Sequence, residues 1–423
     1  MTSSISRLRG RLRVLFVTSH WPLAPAYGAQ QRVLNIGKIL ERFADLSWVI
    51  VPSEMEDEET AHRSMSEFDI QTVVRPIVDI PRDFMSRSFE RFRHEFDRSY
   101  MPTDHYAVSQ ADRAKLQDLI SRNDVVWVHT LRTAHWFRIH RWPHSVMDID
   151  DLPSTVYRSR AQWSGSLRGR LSAQRMAWIW KRRESLLLDR FDVLTVCSEP
   201  DKSCLNMTDR IHVVPNGANV QPLRPRKTAE QPTIGFIGNC KFVPNEQGLT
   251  WFVRKVWPLI KSKCPSAQLR LVGAGSDGYF TSIGQDIVGL GWIADPAEEV
   301  ASWSATIVPI KTGAGTRVKI AESFARKCPV VSTPFGASGY DVANKRELML
   351  ADAPEEFASA CLELIRCPVV GQEMAERAYK RFLECWTWDS FQRPIEAAVE
   401  ECVSRSRFSP SSETKANMLI RRA

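Results

Sequence analysis

Twice along this chain, short runs of β-branched and aromatic residues alternate with stretches whose apolar residues recur at helical spacing. In the first case Leu12-Arg-Val-Leu-Phe-Val-Thr18 runs into a loop carrying Pro22, Pro25 and Gly28. Beyond it Val33, Ile36, Gly37, Leu40 and Phe43 fall on one helical face, and a second apolar run follows at 46–51. Strand, glycine-containing loop, helix, strand is the opening of a parallel doubly wound sheet, because each crossover helix must cover a face of it. The series resumes with runs at 124–129, 145–150, 192–196 and 211–214. Residues 54–121 read as a helical insertion that begins with the acidic run Glu54-Met-Glu-Asp-Glu-Glu59.

The pattern then breaks and restarts. Pro222, Pro225 and Pro232 with no large apolar cluster mark a linker at 223–232. Strand-like runs follow at 233–237, 268–272, 286–290, 305–309 and 329–332, with helices expected at 251–261 and 318–326. Phe391, Ile395, Ala398 and Cys402 line one face of a last helix. The expected organisation is two α/β domains facing across a cleft. The first is 1–222 and the second 233–385, with a closing helix at 386–403 that can cross back to the first domain and a polar tail at 404–423. A chain of 423 residues has room for this, at roughly 100–200 residues per domain.

Composition narrows the partners only slightly. Lys and Arg number 57 against 49 Asp and Glu, a net charge of +8 that permits an anionic partner without choosing one. Nine cysteines without a C-x-x-C pair support neither a disulfide framework nor a zinc site. No run approaches the ~18 uncharged apolar residues of a spanning helix, and the apolar run at 14–17 is too short for a signal peptide. The expected location is therefore cytoplasmic.

Three motifs bear on chemistry. Gly273-Ala-Gly275-Ser-Asp-Gly278 has dinucleotide-site spacing, but the next strand ends in Gly289, Gly291 and Trp292 rather than in an acidic ribose ligand. Asp148-Ile-Asp150 ends a strand with both carboxylates on one face; the pair either holds a divalent cation beneath a diphosphate or caps the turn at Pro153. Lys311-Thr-Gly313-Ala-Gly315-Thr316-Arg317-Val-Lys319 leads into a helix whose free N–H groups and positive dipole end suit a phosphate. Arg317 and Lys319 in that first turn oppose the dipole, so they argue for an anion there rather than for stability. Glu322, one turn on, can accept hydrogen bonds from ribose hydroxyls.

Taken together, the segments His212-Val-Val-Pro-Asn-Gly217, Ile234-Gly-Phe-Ile-Gly238, Leu271-Val-Gly-Ala-Gly275, Gly289-Leu-Gly-Trp-Ile-Ala-Asp295 and Pro329-Val-Val-Ser-Thr-Pro-Phe-Gly336 resemble the retaining family 4 glycosyltransferases, also called glycosyl transferases group 1. That resemblance implies the GT-B fold, two Rossmann-like doubly wound α/β domains, and transfer of a sugar from a nucleotide diphosphate sugar to a glycan or lipid-linked acceptor. It implies donor contacts at Gly28 (with Tyr27 in place of the preceding glycine), Gly313, Gly315, Thr316 and Glu322. Ala314 stands where the family has the first glutamate of its Glu-x7-Glu motif. The usual diphosphate-gripping Arg and Lys would fall near Asn239 and Asn245 or Gln247, which leaves Lys241, Arg317 and Lys319 as the cations. Asp150 stands at the family's histidine, and His129 ends the preceding strand, either on the cleft rim or as a structural residue.

The catalytic residues expected are thus Asp150, His129 and Arg317, with no metal and no cofactor, the nucleotide sugar being a substrate. A nucleotide-sugar epimerase and a non-catalytic nucleotide-sugar-binding protein are the alternatives. Residues 158–183 carry eight Lys or Arg and no acid, interleaved with Trp163, Trp178 and Trp180. Such a segment either lies on an anionic membrane at the inner face or is a solvated helix with inward tryptophans. No nucleic-acid recognition fold accompanies the charge.

Overall fold

The computed structural model describes residues 11–23, 28–52, 58–80, 84–102, 105–205, 208–226 and 231–408. Tyr27, residues 54–57 of the acidic run, linker residues 227–230 and the tail beyond 408 lie outside them.

The strands in chain order are β1 (Leu12–Thr18), β2 (Ala44–Ile50), β3 (Ile70–Val73), β4 (Ile77–Val78), β5 (Tyr106–Ala107), β6 (Val125–His129), β7 (Ser145–Ile149), β8 (Val193–Val196) and β9 (Ile211–Val213). The second half adds β10 (Thr233–Ile237), β11 (Gln268–Val272), β12 (Ile287–Gly289), β13 (Ala305–Val308), β14 (Val330–Ser332) and β15 (Met349–Leu350). The first sheet has the order β3-β2-β1-β6-β7-β8-β9 and the second β12-β11-β10-β13-β14-β15. Every pairing within these two sheets is parallel. Strand order reverses beside β1 and beside β10, the switch points where a doubly wound sheet opens a crevice.

Helices cover both faces, which explains why the central strands read as unbroken apolar runs: β6, β7 and β8 are buried along their whole length. The 54–121 insertion is not wholly helical. Ile70–Val73 pairs with β2 as the sheet's edge, and Ile77–Val78 pairs antiparallel with Tyr106–Ala107. These strands are short and half-exposed, so they lack the apolar run that marks a central strand. The helix expected at 251–261 starts earlier, at Val243 with Pro244 in its first turn, and continues through a π-turn at Phe252–Val256 into Trp257–Lys263.

After the second domain the chain returns. The last helix, Gln392–Phe408, runs past the expected end at 403 and packs across β6, β7, β8 and β9 of the first sheet. Ile395, Ala398, Val399 and Cys402 are fully buried there. Their cluster extends from Val14 and Ile36 of the first domain through Trp386 and Phe391 to Ile320 and Phe324 of the second, so one apolar core joins the two halves.

Gly217 sits where this return meets the crossing chain. A Cβ added there would lie 2.8 Å from Phe391 Cε2 and 3.0 Å from the Trp386 carbonyl oxygen. Gly217→Ala should therefore cost about 1–3 kcal/mol, the usual range for overpacking, in chemical denaturation. Gly165→Ala, with nothing within 4 Å of the new atom, should stay within about 0.5 kcal/mol of the parent.

Candidate active site

The carboxyl ends of the first sheet converge on one buried ion pair. Arg32, from the Gly28–Glu41 helix, and Asp148, on β7, both have fully buried side chains. Arg32 donates to both Asp148 oxygens, the shortest contact being 2.6 Å. It also donates to the Val214 carbonyl at 2.8 Å and to Asn216 Oδ1 at 3.0 Å. Asp148 accepts further bonds from Thr195 Oγ1 at 2.6 Å and from His129 Nδ1 at 2.8 Å. Burial alone would raise the Asp148 pKa, but the guanidinium and the imidazole hold it well below the usual carboxylate range.

His129 is wholly buried beneath the rim rather than standing on it, because its ring turns inward to Asp148. Its Nε2 has no hydrogen-bond partner among the described residues. His20 lies with its ring centroid 5.7 Å away, and burial together with His129 pushes it down to about 3, so it is neutral. Asp150, one residue past β7, is half-buried and accepts from Asn216 Nδ2 at 3.0 Å and Cys197 Sγ at 3.3 Å. Burial pushes the Cys197 thiol well up, so no thiolate nucleophile is offered there.

Asp148 and Asp150 therefore do different jobs. Asp148 is committed to Arg32, and neither residue caps the helix after the strand. The Pro153–Trp163 helix has Leu152 at its cap position, and its Ser154 N–H is satisfied by Glu184 at 2.8 Å. The capping expectation fails because Glu184, thirty residues on, reaches the helix end first.

The glycine-rich loop of the second domain closes over this floor. Gly313 N–H donates to Ser159 Oγ at 2.9 Å, and Thr316 Oγ1 accepts from the Asn216 N–H at 2.9 Å. Gly315, at φ +67°, lies so near the first domain that a Cβ would come 2.6 Å from Asp151 Oδ1 and 3.0 Å from the Asp150 carbonyl. Gly28 faces the Val318–Ala325 helix, where an added Cβ would be 3.4 Å from Val318. Asp151 still reaches solvent, yet desolvation in the cleft and the Asp150 charge push it up to about 7, with Arg317 pulling the other way.

The cations divide. The half-buried Arg317 folds back onto the carbonyls of Ala314 and Gly315, and so holds the loop's shape. Lys319 reaches across to Asn245 Oδ1 at 2.6 Å and lies 4.6 Å over the Phe236 ring. Desolvation, then Arg317, push it down to about 7. Glu322 accepts from Gln31 Nε2 of the opposite domain at 2.9 Å. Lys241 stands apart on an exposed turn, its stem against Gly275. Lys311 is bonded to Asp352 Oδ1 at 2.7 Å and lies between Trp163 and Trp251, 4.5 and 4.2 Å from their ring centroids.

The structure thus brings Gly28, Asp150, Gly313, Gly315, Thr316, Arg317, Lys319 and Glu322 to one cleft, with His129 in the layer below. Arg32, Gln31, Ser159 and Thr195 were not expected there; their partners lie far away in sequence. Asn216 had a signal, as part of the segment ending at Gly217. The glycine run at 273–278 is followed by a 3-10 turn at Tyr279–Ser282 rather than an α-helix, so it lacks the helix N-terminus of a dinucleotide site.

This is the GT-B arrangement, the two-domain fold of a large class of glycosyltransferases. Sucrose-phosphate synthase from Thermosynechococcus elongatus is similar over 94% of this chain and 100% of its own, at TM-score 0.62 and 14% identity. Anabaena HepE in complex with UDP-glucose is similar over 93% and 100%, at TM-score 0.59 and 14% identity. A TarM mutant of S. aureus in complex with fondaparinux, alpha-GlcNAc-glycerol and UDP is similar over 94% and 100%, at TM-score 0.62 and 11% identity. Residues 231–367 match the family model "Glycosyl transferases group 1", which supports that family for the second domain. A Klebsiella pneumoniae relative, an uncharacterized 44.6 kDa protein in the cps region, is 28% identical over 134 residues. The match spans 29% of this chain and about a third (34%) of that relative.

Asp148→Asn leaves Arg32 as a buried charge with a weakened partner. Such losses cost about 3–5 kcal/mol, so the melting temperature at neutral pH should fall steeply. The pair stabilises fully above the unfolded carboxylate pKa of about 3.9 and less as pH drops through the lower native value. The variant should therefore lose less stability than the parent between neutral pH and strong acid.

Proposed function

We propose that this protein is a glycosyltransferase that moves a sugar from a nucleotide diphosphate sugar to a glycan or lipid-linked acceptor, with retention at the anomeric carbon. The observation that carries this reading is the cleft wall at 313–322. There a glycine-rich loop, a helix N-terminus, the Lys319 amine and Glu322 meet Gly28 and Asp150 of the opposite domain. Neighbours of the same fold solved with UDP or UDP-glucose support a nucleotide-sugar donor. The work is done on the cytoplasmic side of a membrane, with the first domain towards the acceptor.

As the bond from the anomeric carbon to the diphosphate oxygen lengthens, positive charge gathers on the sugar and negative charge on the leaving oxygen. The acceptor hydroxyl forms its bond from the same face, and its proton passes to the leaving phosphate. Lys319 and the helix N–H groups stabilise that oxygen most in the transition state. Arg317 keeps the loop in shape. Glu322 takes the ribose after exchanging Gln31 for it. Asp150 orients sugar or acceptor, and His129 positions the floor through Asp148. The chain's own cations supply the charge that a metal would otherwise bring.

Glu322→Ala should lower donor affinity by about tenfold or more, the loss of one charged hydrogen-bond partner. In the same assay EDTA should leave transfer intact. Unchanged donor affinity in the variant, or activity lost to EDTA and restored by Mg²⁺ or Mn²⁺, would overturn this account. Product analysis separates transfer from epimerisation, and binding without turnover would mark a binding protein.

Lys319 gives a second test. It is neutral in much of the population above about pH 7, and the bound diphosphate favours its ammonium form. Donor binding should therefore strengthen as pH falls from 8.5 towards about 6 and should take up a proton near pH 8. Calorimetry in buffers of different ionisation enthalpy reads that uptake, and Lys319→Gln should abolish it.

A further inference from the structure

On two neighbouring helices of the first domain, apolar side chains stand in water in regular stripes. In the Phe84–Phe96 helix, Met85, Phe89, Phe92 and Phe96 are 77%, 62%, 59% and 58% exposed. Their spacing of four, three and four residues puts them on one face. The Phe92 and Phe96 rings lie 4.9 Å apart. In the Leu167–Glu184 helix the same geometry recurs with Leu167, Leu171 and Trp178, which are 72%, 57% and 55% exposed. The helices are joined by an ion pair of 2.7 Å between Arg175 and Glu95, and Arg183 donates to the His94 carbonyl.

Arginines flank these stripes. Arg91, Arg168 and Arg170 are exposed, and Arg182 lies 4.5 Å over the outer Trp178 ring. The only acid of the second helix, Glu184, is buried on Ser154. The structure also sorts the residues of 158–183. Trp180 turns inward to stack on His135, Trp163 leans on Lys311, and Lys181 is tied to the Cys204 carbonyl. The outward face is therefore Leu167, Leu171 and Trp178 with Arg168, Arg170 and Arg182, and not the whole basic run.

We propose that these two helices form a docking face for an anionic bilayer, the aromatic stripe of the Phe84–Phe96 helix entering the interface while the arginines meet headgroup phosphates. Exposed aromatic and aliphatic stripes flanked by arginine suit the headgroup boundary, where rings sit beside charge. Among the described residues no helix is long and apolar enough to cross a membrane. The inference deepens the reading of a membrane-side acceptor and rests on it only for what the docking delivers.

Co-sedimentation of the full chain with phosphatidylcholine vesicles, with and without phosphatidylglycerol, tests it without donor or acceptor. Binding should require the anionic lipid and weaken about tenfold or more in high salt. Phe89→Ser/Phe92→Ser/Phe96→Ser and Arg168→Gln/Arg170→Gln should each release the protein from vesicles. Both should keep the parent's melting temperature and its thermal shift with nucleotide sugars. No binding to anionic vesicles overturns the proposal, as does undiminished binding by both variants. So does a parent dimer that the Phe variant makes monomeric without any vesicle binding. A failed nucleotide-sugar shift in the parent would instead count against the proposed function and leave the vesicle result standing.

Discussion

A guanidinium taken entirely out of water has to be matched, and Arg32 is matched by three residues, Asp148, Val214 and Asn216. Its partners, and those of Asp148, come from β6, β7, β8 and the segment after β9, while Arg32 itself belongs to the first crossover helix. A buried pair of this kind adds little over a well-packed apolar substitute but is costly to break. Its effect is to fix register: the carboxyl ends of three strands and the exit towards the second domain cannot shift independently. Asn216 extends this order outward, its side chain on Arg32 and Asp150 and its N–H on Thr316.

Above that floor, the second domain contributes a wall whose charge differs from the pattern it resembles. The resemblance implies cations near Asn239 and Asn245 or Gln247, and the Lys319 amine sits on Asn245 at 2.6 Å. A lysine from the start of the Val318–Ala325 helix thus meets the first turn of the Val243–Trp251 helix. Desolvation there, followed by the Arg317 charge, depresses its pKa.

Much of this was legible in the residues. Leu12–Thr18, Thr233–Ile237 and Gln268–Val272 begin and end as their apolar runs do, because buried parallel strands need side chains that are apolar on both faces. The loop at 311–317 was legible from its glycines and cations. The Arg32–Asp148 pair was not, since an arginine inside a helical apolar pattern looks like any solvated charge until the partner 116 positions away is known. Ile70–Val73 escaped because an edge strand is held by backbone pairing on one side and needs no apolar run. Met85, Phe89, Phe92 and Phe96 have the period of a buried face, yet all four are exposed.

Direct contacts also join the two walls of the cleft. Ser159 on Gly313, Gln31 on Glu322, and Trp163 on Lys311 each join the two domains without any small molecule. On the proposed function, a donor that enters only once these contacts part would have an apparent dissociation constant equal to the intrinsic one divided by the fraction of molecules already open. Affinity would then be set partly by Ser159 and Trp163, which make no proposed donor contact. Sequence drift at Ser159 or Trp163 would retune the proposed donor capture without replacing a residue assigned to the donor.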